Sequence, residues 1–310
     1  MKKMLFIRGF HGPTGGHVKV FHYLQYVLHS GLARPQLYLT PSSLRDESNI
    51  FLAYPELIVD QVGGNDILFL GGVDWPAAEG LGLLGSDVPI IALLQNVFHA
   101  NPDDQYPRYN HHRAIRICNS QEIADAIRSL GEPNGPMHVI SAAFPSLTSM
   151  RLDWSRRTVD VFIAGFKTPP LAEAVASRLA NAGVSVDVTT HQIPSNDYHR
   201  RMAASRVAIM LTYRQEGSPL PPLAAMSLDV AVVCPETPGI HDYCRAEETA
   251  LLPDRDADAL AGAAQRLLAD SALSARLRAN GRRIVEIHTL DREYALFLPI
   301  LRRALGIPIS

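Results

Sequence analysis

In YRQEGSPLPPLAAMS, Tyr213 to Ser227, one carboxylate, Glu216, precedes three prolines and a run of small residues. An ionised carboxylate is a strong acceptor for sugar hydroxyls, and free backbone amides at a helix start suit a diphosphate. The apolar run VAIMLTY ends just before Glu216, and Pro221 and Pro222 fit a first helical turn, where a missing N–H costs nothing. Glu216 should therefore sit where a strand and a helix converge, beside the amides of Gly217, Ser218, Leu220 and Leu223. Gly165 and Lys167 follow another apolar run, VFIAG; a lysine there either meets phosphate as a flexible point charge or stands in solvent. Gly239 and Ile240 form a second glycine turn after VAVVCPE.

The first half carries its own candidates. Gly12, Gly15 and Gly16 follow MLFI in a GxxGG spacing, which either brings backbone close to a ligand or makes an ordinary tight turn. It is not the dinucleotide fingerprint: the spacing differs, and Thr40 and Pro41 stand where that reading needs an acid. Gln95, Asn96, Phe98 and His99 follow the run PIIALLQN, and His99 is a residue type that exchanges protons near neutrality. His17 opens the first helix. His111 and His112 lack further ligands at zinc spacing, so no metal site is expected.

These residues depend on elements that place strand ends together. Near-continuous apolar runs at 4–7, 37–39, 66–72, 89–96, 115–120 and 137–141 predict parallel strands covered on both faces, with helices at HVKVFHYLQYVLHSG and QEIADAIRSLG. From Val159 onward strand and helix alternate four times, which predicts a second open α/β sheet. MRLDWSRR, 150–157, has no clear periodicity and reads as the linker; the remainder after Asp256 is almost all helix. Two domains result: 1–155, completed by a returning C-terminal helix at about 288–310, and 156–287. Two such sheets imply a central cleft at their carboxyl ends.

Bulk properties agree with an enzyme-sized soluble chain. At 310 residues it exceeds one typical domain, with 47% hydrophobic and 19% charged residues. A net charge of -2 and a pI near 6.6 provide no general attraction for nucleic acid or anionic membrane. Arg282, Arg283, Arg302 and Arg303 read as ordinary charged helix faces, and the helix from Tyr294 to Leu305 is expected to pack on the protein. No segment has the length of a spanning helix, and the N-terminus does not read as a secretory leader. Cys118, Cys234 and Cys244 read as buried free thiols.

From Val159 to about Leu268 the chain resembles the nucleotide-sugar domain of the retaining GT-B glycosyltransferases, the glycosyl transferases group 1 family. The resemblance rests on IPSNDYHRRMAASRVAIMLTY, the Glu216–Gly217 segment with its prolines and Ala-Met, VAVVCPETPGIHDY and TALLPDRDADALAGAAQRLLAD; GPTGGH, ALLQNVFH and ICNSQEIADAI extend it loosely into the first half. It implies two Rossmann-like domains, the first on the acceptor side, and transfer of a sugar from a nucleoside diphosphate sugar to an acceptor hydroxyl with retention. Catalytic roles fall to His99, Lys167 and Glu216, and donor contacts to Gly15, Gly16, Gly165, Lys167, Glu216, Gly217, Ser218, Leu220, Gly239 and Ile240. No prosthetic group or metal is implied. The acceptor would be a carbohydrate, a lipid-linked sugar or another hydroxyl compound, in the cytoplasm or peripherally at the inner membrane face; a nucleic-acid acceptor is not expected.

Two departures stand out. Ala224 replaces the family's second glutamate, and Asp229 replaces a glycine after the small-residue helix. The alternatives are an inverting transferase or epimerase with His17 or Asp74 as base, and a sugar-binding subunit that has lost turnover.

Overall fold

The computed structural model describes residues 1–85 and 87–308. It divides into two compact units, Met1–Ala142 with Leu290–Ser310, and Ala143–Thr289.

In the first unit six parallel strands form one sheet: β1 (Lys3–Arg8), β2 (Arg34–Leu39), β3 (Ile67–Gly71), β4 (Ile90–Leu94), β5 (Ile115–Cys118) and β6 (Met137–Val139), in the order β2-β1-β3-β4-β5-β6. β1 is an interior strand next to the edge strand β2, and its run Met4–Ile7 is apolar without interruption and covered on both faces. Met4 and Phe6 point to a core shared with Tyr23, Val27 and Phe69, whereas Leu5 and Ile7 point to one shared with Leu68, Trp75 and Ile90. Register places Phe6 beside Phe69, with their rings stacked at 4.6 Å.

Helix α1 (Gly15–Ser30) starts on Thr14, whose hydroxyl accepts from the His17 amide, and stops at Gly31 in the left-handed region. α2 (Trp75–Gly80) is a short helix that the periodicity did not show. Ser120 caps α3 (Gln121–Arg128). The C-terminal helix, Leu290–Leu305, supplies Phe297, Ile300 and Leu301 to the first unit's core. The sequence-based range for this segment runs to 310; positions 309 and 310 lie outside the described residues.

In the second unit β7 (Val159–Ala164), β8 (Val186–Thr189), β9 (Ser205–Met210) and β10 (Ala231–Val233) pair in parallel in the order β10-β9-β7-β8. Helices α4 (Pro169–Asn181), α5 (Ser195–Ala203), α6 (Pro221–Ser227), α7 (Ala257–Ala269) and α8 (Ser271–Ile287) accompany them. Val161, Ile163, Val207, Ile209 and Ala231 pack with Val175, Leu179, Leu260 and Leu267.

The stretch 150–157, read as a linker, is tied into this second unit. Arg151 Nε donates to Ser227 O at 2.7 Å, and buried Arg157 donates to Ser205 O at 2.9 Å and Leu228 O at 3.1 Å. Those acceptors are carbonyls contributed by distant segments, which local periodicity cannot reveal.

Candidate donor site

In the second unit the site is built where β7 and β9 stop. β7 ends at Ala164, and Gly165 then turns the chain into α4; a Cβ on Gly165 would lie 2.1 Å from Ala172 Cβ, so close strand-to-helix packing requires a glycine here. Lys167 projects from this turn. Its ammonium meets Glu216 Oε1 and lies 5.3 Å from the Tyr213 ring centroid and 5.7 Å from that of Phe166. The second Glu216 oxygen, Oε2, accepts the Tyr213 amide at 2.9 Å, while the Glu216 amide closes a turn onto Tyr213 O at 3.3 Å. Two residues far apart in sequence thus form one charge pair, with side-chain exposures of 14% and 19%. That is enough burial to hold the pair and enough access for a ligand to compete.

The segment after Glu216 is well anchored. Tyr243 donates its hydroxyl to Pro219 O, and Leu220 is buried at the start of α6. Ala224 is buried in α6, so this helix offers no carboxylate at the departed position. Gly239 adopts φ 72°, a conformation that favours glycine, and the Ile240 amide makes a long 3.4 Å bond to Thr237 O. The hydroxyls of Thr168 and Thr237 are buried and have no hydrogen-bond partner among the described residues. Each lies in a loop that follows a strand of this sheet. Arg255, absent from the sequence-based candidates, donates to Thr212 O at 2.5 Å. No local pattern marks it, because it precedes α7 and reaches Thr212, in the loop after β9, only through tertiary packing.

The first unit gathers its candidates separately. Gln95 donates to Gly16 O at 3.0 Å, and a Cβ on Gly16 would lie 3.1 Å from the Gln95 side-chain oxygen, so glycine allows this close approach. Gly15 opens α1 beside it. Arg8, at the end of β1, donates to Asp74 Oδ2 at 2.6 Å and to His17 Nδ1 at 3.0 Å, and the Gly71 amide gives Asp74 a further bond at 2.8 Å. An arginine only donates, so neutral His17 accepts on Nδ1 and carries its proton on Nε2. Burial, reinforced by the positive charge of Arg8 and then by His11, lowers the His17 pKa to about 3. Burial pushes the Asp74 carboxyl up, against the pull of Arg8.

His99 lies on the 3-10 turn after β4 and is 3% exposed. Its ring sits against Gly72, Phe98 and Tyr106, and burial lowers its pKa to about 3. A cavity of about 10 Å³, bordered by His99, Gly72, Tyr106 and Arg116, adjoins it, which is about the space of one water. As placed, the imidazole is neutral and directed into its own unit. Among the described residues no three His, Cys, Asp or Glu side chains converge as metal ligands.

Residues 127–270 match the family model of glycosyl transferases group 1. The protein has the GT-B glycosyltransferase fold. Sucrose-phosphate synthase from Thermosynechococcus elongatus superposes with TM-score 0.72 at 13% identity, over 99% of this chain and 100% of that one. HepE from Anabaena, solved in complex with UDP-glucose, superposes with TM-score 0.75 at 14% identity, over 98% of this chain and 100% of that one. An α,α-trehalose 6-phosphate synthase from Burkholderia multivorans gives 0.68 at 11% identity, over 99% of this chain and 97% of that one. No curated protein sequence matches the chain. Within this GT-B chain the matched segment includes β7 to β10, and with them Lys167, Glu216 and Gly239.

Proposed function

We propose that this GT-B protein transfers a sugar from a nucleoside diphosphate sugar to a carbohydrate, lipid-linked or other acceptor hydroxyl, with retention at the anomeric carbon. The observation that carries the reading is the Lys167–Glu216 pair at the strand ends of the matched segment. A diphosphate competes for the ammonium, and sugar hydroxyls replace the ammonium at the carboxylate. As the donor bond breaks, negative charge accumulates on the diphosphate, where Lys167 and the amides of Gly217, Ser218, Gly239 and Ile240 would meet it. Leu220 anchors that segment, and Gly165 brings Lys167 into place. HepE, a relative in fold, was solved with UDP-glucose, which supports a nucleotide sugar as the ligand class.

The first unit would serve the acceptor side, with Gly15 and Gly16 as backbone contacts. His99 would act as a neutral group that shapes the strand ends. Retention is supported by the state of the two bases an inverting reaction would use. His17 has its Nδ1 lone pair engaged by Arg8, and Asp74 is bound by Arg8 and the Gly71 amide. In this reading the cationic side chain and the amides carry the leaving-group charge, so turnover should persist in EDTA. The three cysteines are free and buried, which agrees with a reducing cytoplasmic setting, including the inner membrane face.

The test is a thermal-shift screen against UDP-, GDP-, ADP-, CMP- and dTDP-sugars, with and without EDTA, on the native chain and Glu216→Gln. A donor that raises the melting temperature of the native chain, and raises it less in the variant, supports the reading. Absence of a shift with every donor at millimolar concentration would overturn it. A donor that binds without transfer to any acceptor offered would favour the sugar-binding subunit.

A further inference from the structure

One peptide unit lies between two charged side chains. The carbonyl of Thr212 accepts from Arg255 Nη1 at 2.5 Å, and Arg255 Nη2 reaches the Thr212 hydroxyl at 3.4 Å. The amide of Tyr213, on the opposite edge of the same planar unit, donates to Glu216 Oε2 at 2.9 Å. A cation at the carbonyl end and an anion at the amide end polarise such a unit in the same sense, and each bond strengthens the other.

Arg255 has no carboxylate within ion-pair distance among the described residues. Burial lowers its pKa; among its neighbours Cys234 and Glu216 favour the charged form and Arg214 opposes it. A half-buried guanidinium without its own counter-ion is costly to keep, and here two of its N–H groups serve a single residue. That residue immediately precedes the turn closed by Glu216, whose first members, Tyr213, Arg214 and Gln215, are exposed, with Tyr213 at 56%. The turn needs a fixed starting point if the carboxylate at its end is to hold one orientation.

We infer that Arg255 is a positioning residue: it fixes the 212–213 peptide so that the Tyr213 amide keeps Glu216 aimed at the donor sugar once the diphosphate has drawn Lys167 away. The inference rests on the donor-site reading above. In the ligand-free chain Glu216 has two anchors, Lys167 and the Tyr213 amide. A diphosphate weakens the first, so recognition of the sugar depends on the second, and through it on Arg255. The consequence is a division of labour: loss of Arg255 should impair recognition of the sugar while leaving that of the diphosphate.

The experiment is calorimetric titration with UDP, GDP and ADP, each free and as its glucose conjugate, on the native chain, Arg255→Gln and Arg255→Lys. For the nucleotide that binds, Arg255→Gln should keep the free diphosphate within about twofold and weaken the sugar conjugate about tenfold, with Arg255→Lys recovering most of the loss. Equal weakening of both ligands would make Arg255 a phosphate ligand and overturn the inference, as would no change in either. A second arm needs no ligand: crystal structures of Lys167→Ala and of Lys167→Ala with Arg255→Gln. Glu216 should stay on the Tyr213 amide in the first and leave it in the second; retention in both overturns the inference. If the native chain binds none of these nucleotides while the two structures differ as expected, the donor reading fails and the anchoring of Glu216 by Arg255 stands.

Discussion

At the scale of single residues, the site is a contest for one ammonium and one carboxylate. Replacing Glu216 by Gln keeps the shape and removes the charge. Charge-assisted hydrogen bonds contribute about 1.5–3 kcal/mol, so kcat/KM for the donor should fall about 10- to 100-fold, measured by steady-state kinetics with the donor varied. Lys167→Ala should instead weaken the free nucleoside diphosphate as well, because the lost group faces phosphate in this reading; equal binding of the diphosphate by both proteins in calorimetry would contradict that role. The glycine at 165 has a cause independent of any ligand. Its missing Cβ makes room for Ala172, so Gly165→Ala should destabilise the second unit by about 1–3 kcal/mol in urea unfolding, and Ala172→Gly in the same chain should recover part of the loss. Full recovery of donor binding in the double variant would assign Gly165 to packing alone.

Among elements, the C-terminal helix returns to the first unit and is held there by charge as well as by apolar packing. Lys19 of α1 and Glu293 of this helix form a buried ion pair at 2.5 Å, and Tyr26 donates to the same carboxylate at 2.7 Å. Phe297 meets Tyr23 edge to face at 4.9 Å between ring centroids. Breaking a buried pair from one side leaves a charge without its counter-ion, at a cost of about 3–5 kcal/mol. Glu293→Ala should therefore lower the stability of the first unit by that amount. The double change Lys19→Met with Glu293→Leu should recover most of it, because packed apolar side chains replace a pair that is costly to desolvate. Chemical denaturation of the three proteins decides.

For the molecule as a whole, acid should act on the first unit. His17, His22 and His99 all belong to it, and burial lowers each to about 3, from an ordinary value near 6.5. Between these values the unfolded chain binds protons that the folded chain does not, so stability is fully present above pH 6.5 and falls as pH drops towards 3. From pH 7 to pH 5 each histidine should remove about 2 kcal/mol, about 6 kcal/mol for the three. Scanning calorimetry should show the first unit's transition moving down steeply over this range; an unchanged transition would mean that these histidines are not buried and neutral. The same values imply that a kcat profile between pH 5.5 and 8, measured where the chain remains folded, carries no inflection from His17 or His99.

What the sequence determined by itself was the parallel strands, the longer helices between them, and the residue types offered at the strand ends; the short α2 was not among them. The apolar runs became parallel strands because a sheet covered on both faces favours apolar residues at nearly every position; the buried Arg116 of β5 is held by backbone carbonyls. The carboxylate before a proline-started helix, and the lysine after a strand, were legible because strand ends and helix starts are local features with local signals. Tertiary structure decided what those groups meet. Lys167 and Glu216 pair because β7 and β9 are adjacent in the sheet, and strand order is not written in spacing. Arg255 was invisible for the same reason, since its partners are the carbonyl and hydroxyl of one residue on a neighbouring element. Of the histidines, the type was legible and the state was not: proton affinity follows from burial and nearby charge, which exist only once the chain has folded.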